Sequence, residues 1–390
     1  MKKVFLFSLF LVLGLVLSQC LPVWLGEAFL TAEKVAKTLM FVCLAFIMIN
    51  VGREFELDKT KWRSYAADYF IAMATAAVPW IMVAFYYMFL LPADLFGNWD
   101  AWKENLLLSR FAAPTSAGIL FTMLAAAGLR REWVYKKTQV LAIFDDLDTI
   151  LLMIPLQIFM IGFKWQLFAV VIVITFLLVI GWKKLGTIRL SQTWKSILFY
   201  AVCIVAVTES IYLLTKWMMG AIHIEVLLPA FVLGMVMKTV HQHGNRDEKI
   251  TGMISYLFMF LVGLSTPQFI GIDHGHRITE AVGIIAAQPM PSWEVLVVHV
   301  IVVTLLSNLG KMFPLFFYRD RQLEERLALS VGMFTRGEVG AGIIVIAMGY
   351  NLGGPALIIS VLSLVLNLLL TGGFVVIVKR LAQQAYGLKE

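Results

Sequence analysis

Ala142-Ile143-Phe144-Asp145-Asp146-Leu147-Asp148-Thr149-Ile150 places three carboxylates within four residues, inside a run that is otherwise apolar from Val140 to Met153. A charge at the centre of a bilayer costs about 2.5–3.5 kcal/mol, so three facing lipid would cost roughly 8–10 kcal/mol. They must therefore face protein or a water-filled cavity. At helical spacing Asp145 and Asp148 lie on neighbouring faces, and Asp146 sits about 100° round from Asp145. A solvated loop cluster would not be flanked by unbroken apolar sequence on both sides. The stretch reads as a spanning helix with a functional polar face.

The rest of the chain agrees with that environment. Of 390 residues, 60% are hydrophobic and 15% charged, against roughly 45–50% apolar and about 25% charged in soluble chains. A water-soluble enzyme is excluded on both counts. The apolar runs predict an all-α polytopic membrane protein of twelve spans, near 4–22, 35–52, 65–91, 105–128, 138–162, 166–182, 196–217, 225–238, 251–270, 294–318, 327–349 and 356–378. Runs this long point to helices and not to a barrel, because backbone groups in hydrocarbon must be satisfied internally. Cys20, Cys43 and Cys203 lie in separate runs without CxxC spacing, so neither a disulfide framework nor a metal knuckle is encoded.

The net charge of +7 is a matter of topology. Of the 32 Lys and Arg, 23 fall in loops on one side and six on the other, and Arg110, Lys311 and Arg336 fall inside spans. The positive-inside rule then puts both termini in the cytoplasm, in a cell (inner) membrane. No basic, aromatic-interleaved region suggests nucleic acid. Met1-Lys2-Lys3 followed by Val4–Leu17 has the look of a signal peptide, but Gln19 disfavours cleavage there. No soluble regulatory domain is expected after Lys379, and the longest external connection, 271–293, carries no motif.

Depth supplies a partner for the carboxylates. Asp145 lies about 10 Å from the cytoplasmic start of its span, and Lys311, in Ser307-Asn308-Leu309-Gly310-Lys311, lies about 12 Å from the same surface. A buried ammonium and buried carboxylates at matching depth are expected to pair. Two other spans are interrupted at similar depth. The fourth contains Ala112-Ala113-Pro114-Thr115-Ser116-Ala117-Gly118, where Pro114 removes a donor. The eleventh contains Thr335-Arg336-Gly337-Glu338-Val339-Gly340-Ala341-Gly342. Matched interruptions in two halves are the mark of a transporter site, with half-helix ends exposed to an ion or side chain. Glu209 and His299 also lie within or near hydrocarbon, without an assigned part.

At these residues the chain resembles the cation:proton antiporter superfamily, in both its NhaA-type and Kef-type branches. Ala142–Leu147 is similar to the aspartate pair of sodium/proton antiporters, Gly310-Lys311 to their tenth-helix lysine, and Arg336-Gly337-Glu338 to an eleventh-helix Arg-Gly stretch. Phe41–Leu57, ending Val51-Gly52-Arg53-Glu54-Phe55-Glu56-Leu57, resembles the second-helix signature of the Kef-type branch, with weaker similarity at Leu228–Met235 and Phe260–Gly263. The resemblance implies an inverted-repeat fold with two crossed, discontinuous helices (spans 4 and 11). It also implies a core of 105–162, 294–378 and the third span, moving against a dimerisation part of 4–52 and 196–270, in a homodimer serving pH homeostasis. Asp146 would be the ion-binding carboxylate, Asp145 its neighbour and Lys311 the cationic partner, with no cofactor beyond the transported cation and proton. Asp148 is a carboxylate that pair-bearing antiporters usually lack.

Proton-for-cation exchange follows from the chemistry. Two adjacent carboxylates in low dielectric do not both ionise freely, and they titrate as a unit. Na⁺, with Li⁺ or K⁺ as alternatives, would compete with a proton for oxygens of Asp146, Asp145, Thr115 or Ser116, with Asp148 a further candidate. Two other readings stand beside it. One is a Na⁺-coupled symporter of an organic anion, with Arg336 meeting a carboxylate. The other is an intramembrane aspartyl protease using Asp145 and Asp148, which lacks any HExxH, GxSxG or Gly-Asp pattern.

Overall fold

The computed structural model describes residues 2–26, 28–54, 62–161, 166–184, 186–218, 226–237, 245–265, 283–285, 287–349 and 352–387. Among these there is no strand, only one isolated bridge between Ile188 and Met237. Fourteen α-helices follow in order: α1 Lys2–Leu25, α2 Ala28–Glu54, α3 Trp62–Phe89, α4 Trp99–Ser109, α5 Ala117–Ala126, α6 Trp133–Ile161, α7 Gln166–Lys183, α8 Trp194–Met218, α9 Leu227–Val236, α10 Asn245–Leu264, α11 Trp293–Gly310, α12 Leu323–Gly332, α13 Glu338–Gly349 and α14 Gly354–Tyr386. Six segments among the described residues are long and apolar enough to cross a membrane: Thr31–Arg53, Arg63–Phe89, Trp99–Ala126, Trp194–Ile211, Trp293–Phe316 and Gly354–Tyr386. Most of the expected connection 271–293 lies outside the described residues.

Helix starts depart from the hydropathy boundaries where polar capping takes over. Asn98 accepts from the backbone N–H of Asp100 at 2.8 Å, so α4 begins at Trp99, before the apolar run at 105. Glu325 Oε2 accepts from the Gln322 N–H at 3.2 Å, which starts α12 at Leu323. Capping residues are polar and raise no hydropathy signal, so the runs alone cannot place these ends.

Helix pairing follows from close packing. α1 lies along α10, and α2 lies along α9, α8 and α10, with α7 against α9. Separately, α3 packs on α4, α6 and α11, and α14 packs on α11 and α12. Contacts between the two sets run mainly through α1 with α14 and through α1 and α2 with α5. Both principal pairings in the first set cross on glycines. A Cβ on Gly14 would collide with the Phe260 carbonyl and one on Gly263 with the Leu11 carbonyl; Gly52 and Gly234 stand in the same reciprocal relation through Phe231 and Ile49. Lipid tails give helices no hydrophobic reason to associate, so backbone approach at small residues supplies van der Waals contact.

That origin is testable. Gly234→Val should lower the melting temperature of the detergent-solubilised protein by several degrees, the overpacking cost being about 1–3 kcal/mol. Gly252→Ala, inside α10 with nothing within 4 Å of a new Cβ, should not lower it and should raise it slightly, since Ala is the better helix former. Equal melting of the Gly234 variant and the parent would remove the crossing as a source of stability.

Candidate functional site

The fourth and eleventh predicted spans are each two helices separated by irregular backbone. After α4 a short 3-10 turn, Arg110–Ala112, leads into residues 113–116 before α5. Pro114 has no N–H to continue the ladder, and Ser116 restarts it by accepting from the Ile119 N–H at 3.4 Å. Residues 333–337 separate α12 from α13 in the same way. The two interruptions meet. The Ser116 N–H donates to the Thr335 carbonyl at 2.9 Å, and the Thr115 hydroxyl donates to the Met333 carbonyl at 3.1 Å. Gly337 is required at this approach, because a Cβ there would press on the side chains of Ser116 and Ile119.

Helix breaks leave carbonyls unpaired, and unpaired carbonyls in a dry interior need donors. Arg336 supplies them. Its Nη1 donates to the Met333 and Pro114 carbonyls at 3.2 and 3.4 Å, and its Nη2 to the Ser307 carbonyl at 3.2 Å. The side chain is fully buried. It thereby ties both breaks to α11, with its charge at the negative ends of α4 and α12.

The acidic helix α6 presents Asp145 to this junction. Lys311 Nζ donates to Asp145 Oδ2 at 2.8 Å and Oδ1 at 3.1 Å, and to the Thr115 hydroxyl at 3.0 Å. The Thr115 N–H adds a 2.7 Å bond to Asp145 Oδ2. Both side chains of the pair have 0% exposure, so the ammonium does not reach the membrane surface. Lys311 caps α11 immediately after Gly310, which passes so close to Pro79 of α3 that a Cβ there would collide with it. A single arrangement thus joins α6, α11 and the α4–α5 break.

The other expected residues are placed as follows. Asp146 is buried, and its charge and that of Asp145 both act on Lys311. Asp148 is buried one turn further along α6. The side chain of Glu338 lies outside the described residues. Glu209 is half-buried on α8 and is not among the groups gathered at the breaks, and His299 Nδ1 pairs with the Tyr86 hydroxyl at 2.7 Å. Sequence reading passed over Asp68 entirely. Its carboxylate takes Lys137 Nζ at 2.8 and 3.0 Å and the Tyr318 hydroxyl at 2.6 Å, tying α3 to α6. A lone Asp in an apolar run, with Lys137 counted as a loop charge, was the only signal. Arg110 was noticed but given no partner; it lies 4.4 Å over the Trp80 ring and donates to the Asp148 carbonyl at 3.1 Å.

A family model described as sodium/hydrogen exchanger, transmembrane, matches residues 2–381. Comparison with curated proteins gave no match.

The buried pair has an energetic signature. Lys311→Met, which strands Asp145, should destabilise the protein by about 3–5 kcal/mol. The double variant Lys311→Met with Asp145→Asn should recover a substantial part of that loss. Thermal melting in detergent checks this, and equal loss in the single and double variants would show that the pair is not coupled.

Proposed function

The chain belongs to the sodium/hydrogen exchanger family, whose members are membrane transporters exchanging cations for protons, and we propose that Na⁺ and H⁺ compete in it for the Asp145–Asp146 carboxylates. The observation that carries this reading is the fully buried Lys311–Asp145 pair at the meeting point of two interrupted spans. With no cation bound, Lys311 neutralises Asp145 and donates to Thr115. An arriving cation takes oxygens from Asp146, from Asp145 as Lys311 withdraws, and from Thr115 or Ser116. Hard oxygen donors of this kind suit Na⁺, with Li⁺ and K⁺ as the competing sizes. A proton arriving at the same carboxylates displaces the cation, and the two cannot be held together.

The wider architecture belongs to the same reading. The chain crosses the membrane twelve times with both termini in the cytoplasm, and spans 4 and 11 cross at their breaks. A core of α3–α6 and α11–α14 moves as a body against α1, α2 and α8–α10, which also form the homodimer contact. The sparse packing between these two sets supports such a movement. If Lys311 releases a proton when the cation binds, each cycle carries net charge, worth about 2.3 kcal/mol per charge per 100 mV.

Symport of an organic anion gains nothing from the geometry. Both terminal nitrogens of Arg336 are already committed to carbonyls, and the centre is rich in carboxylates. A protease using Asp145 and Asp148 is equally disfavoured, since both Asp145 oxygens are held by Lys311.

In proteoliposomes, adding Na⁺ outside should drive protons out of the lumen, and Asp146→Asn should abolish that movement. The same experiment with Li⁺ and K⁺, repeated across membrane potentials, ranks the cations and reads the charge carried. Undiminished proton movement in Asp146→Asn would take Asp146 out of the mechanism.

A further inference from the structure

A second polar group lies beside the first. Asp148 follows Asp145 by three residues, about 4.5 Å along α6 toward its Ile161 end. It is 1% exposed, the Tyr69 hydroxyl of α3 approaches its carboxylate, and its Oδ2 has no hydrogen-bond partner. Opposite stands Arg110, 0% exposed, at the C-terminal end of α4. Its Nη2 is spent on the carbonyls of Asp148 and Thr149, at 3.1 and 3.4 Å, while Nε and Nη1 have no partner. The guanidinium is held in place over Trp80, whose indole N–H is itself fixed to the Leu106 carbonyl at 2.7 Å. Asp148 and Arg110 form no ion pair within 4.0 Å, yet each feels the charge of the other. Buried polar atoms left open are costly and rare in proteins. Here an acceptor and two donors are left open together, in the part of α6 beyond Asp145.

We propose that Asp148 and Arg110 form a second cation station, one helical turn from the Lys311–Asp145 pair on the side toward the Ile161 end of α6. The inference rests on the exchange reading and adds a step to it. The open Asp148 oxygen takes the monovalent cation, with water filling the remaining donors and acceptors, as the ion passes between the central site and that face. A lone carboxylate in low dielectric would hold the ion too long. Arg110, immobilised over Trp80, opposes it, so the station binds well enough to be entered and weakly enough to be left. Asp148 is then a selectivity and access residue for one side of the membrane. Arg110 is a positioning residue that sets the dwell time.

The test is radioactive Na⁺ self-exchange in vesicles of both orientations, which needs no proton coupling and so stays readable even if the exchange reading fails. Asp148→Asn should raise half-saturating Na⁺ by about tenfold at the face toward Ile161, the scale of one charge-assisted contact, and by much less at the other. Arg110→Gln should do the opposite, lowering half-saturating Na⁺ at that same face while slowing maximal exchange. An equal rise at both faces in Asp148→Asn would merge Asp148 with the central site and overturn the proposal. So would both variants moving in the same direction, which is what a purely structural role gives. Should Asp148→Asn fail to assemble, Asp148→Glu decides: a shift confined to that one face supports the station, and no shift or an equal shift at both faces overturns it.

Discussion

The organising constraint is that an ionised group in hydrocarbon must be neutralised within a few ångströms or not exist. Around the two breaks stand the carboxylates Asp145, Asp146 and Asp148 and the cations Lys311, Arg110 and Arg336, all buried. The geometry apportions their partners unequally. Lys311 is spent on one carboxylate, Arg336 is spent on backbone carbonyls, and Arg110 stands apart from Asp148 without bonding its side chain. On the exchange reading, an incoming cation displaces either a proton or one of these internal partners.

The helix breaks make this arrangement possible. An unbroken helix offers side chains only, whereas the ends at residues 113–116 and 333–337 also offer N–H groups and carbonyls inside the protein. The Thr115 N–H steadies Asp145, and the Met333 carbonyl receives both Thr115 and Arg336. These contacts connect α4, α5, α6, α11 and α12 through few atoms. A displacement of the Lys311 ammonium is thereby felt at both breaks at once. The glycine crossings of α1 with α10 and α2 with α9 provide the contrasting element, close approach of backbone to backbone at Gly14, Gly52, Gly234 and Gly263.

Much of the centre was legible in the sequence because its signals are costly. Three aspartates in an apolar run, one lysine at matching depth and two interruptions by Pro and Gly stand out together from ordinary packing. The contacts that give them geometry were not legible. Thr115 binding Asp145 through its backbone, and Arg336 serving carbonyls, depend on which backbone atoms the breaks leave open, and composition carries no record of that. Asp68 escaped notice because a single acidic residue near a helix start looks like an interfacial charge, and its partners come from two distant segments. Helix starts at Trp99 and Leu323 were missed for the reason given by Asn98 and Glu325: caps are polar and lie outside the apolar runs.

The central claim is that cation and proton occupy the same buried carboxylates in turn. Proton release measured directly on adding Na⁺ to weakly buffered, detergent-solubilised protein tests it without a membrane or a gradient. The account predicts that saturation with Na⁺ expels protons from the protein. It further predicts that proton release and Na⁺ binding rise with the same midpoint, and that both vanish together in Asp146→Asn. Na⁺ binding to the parent protein with no proton released would contradict it.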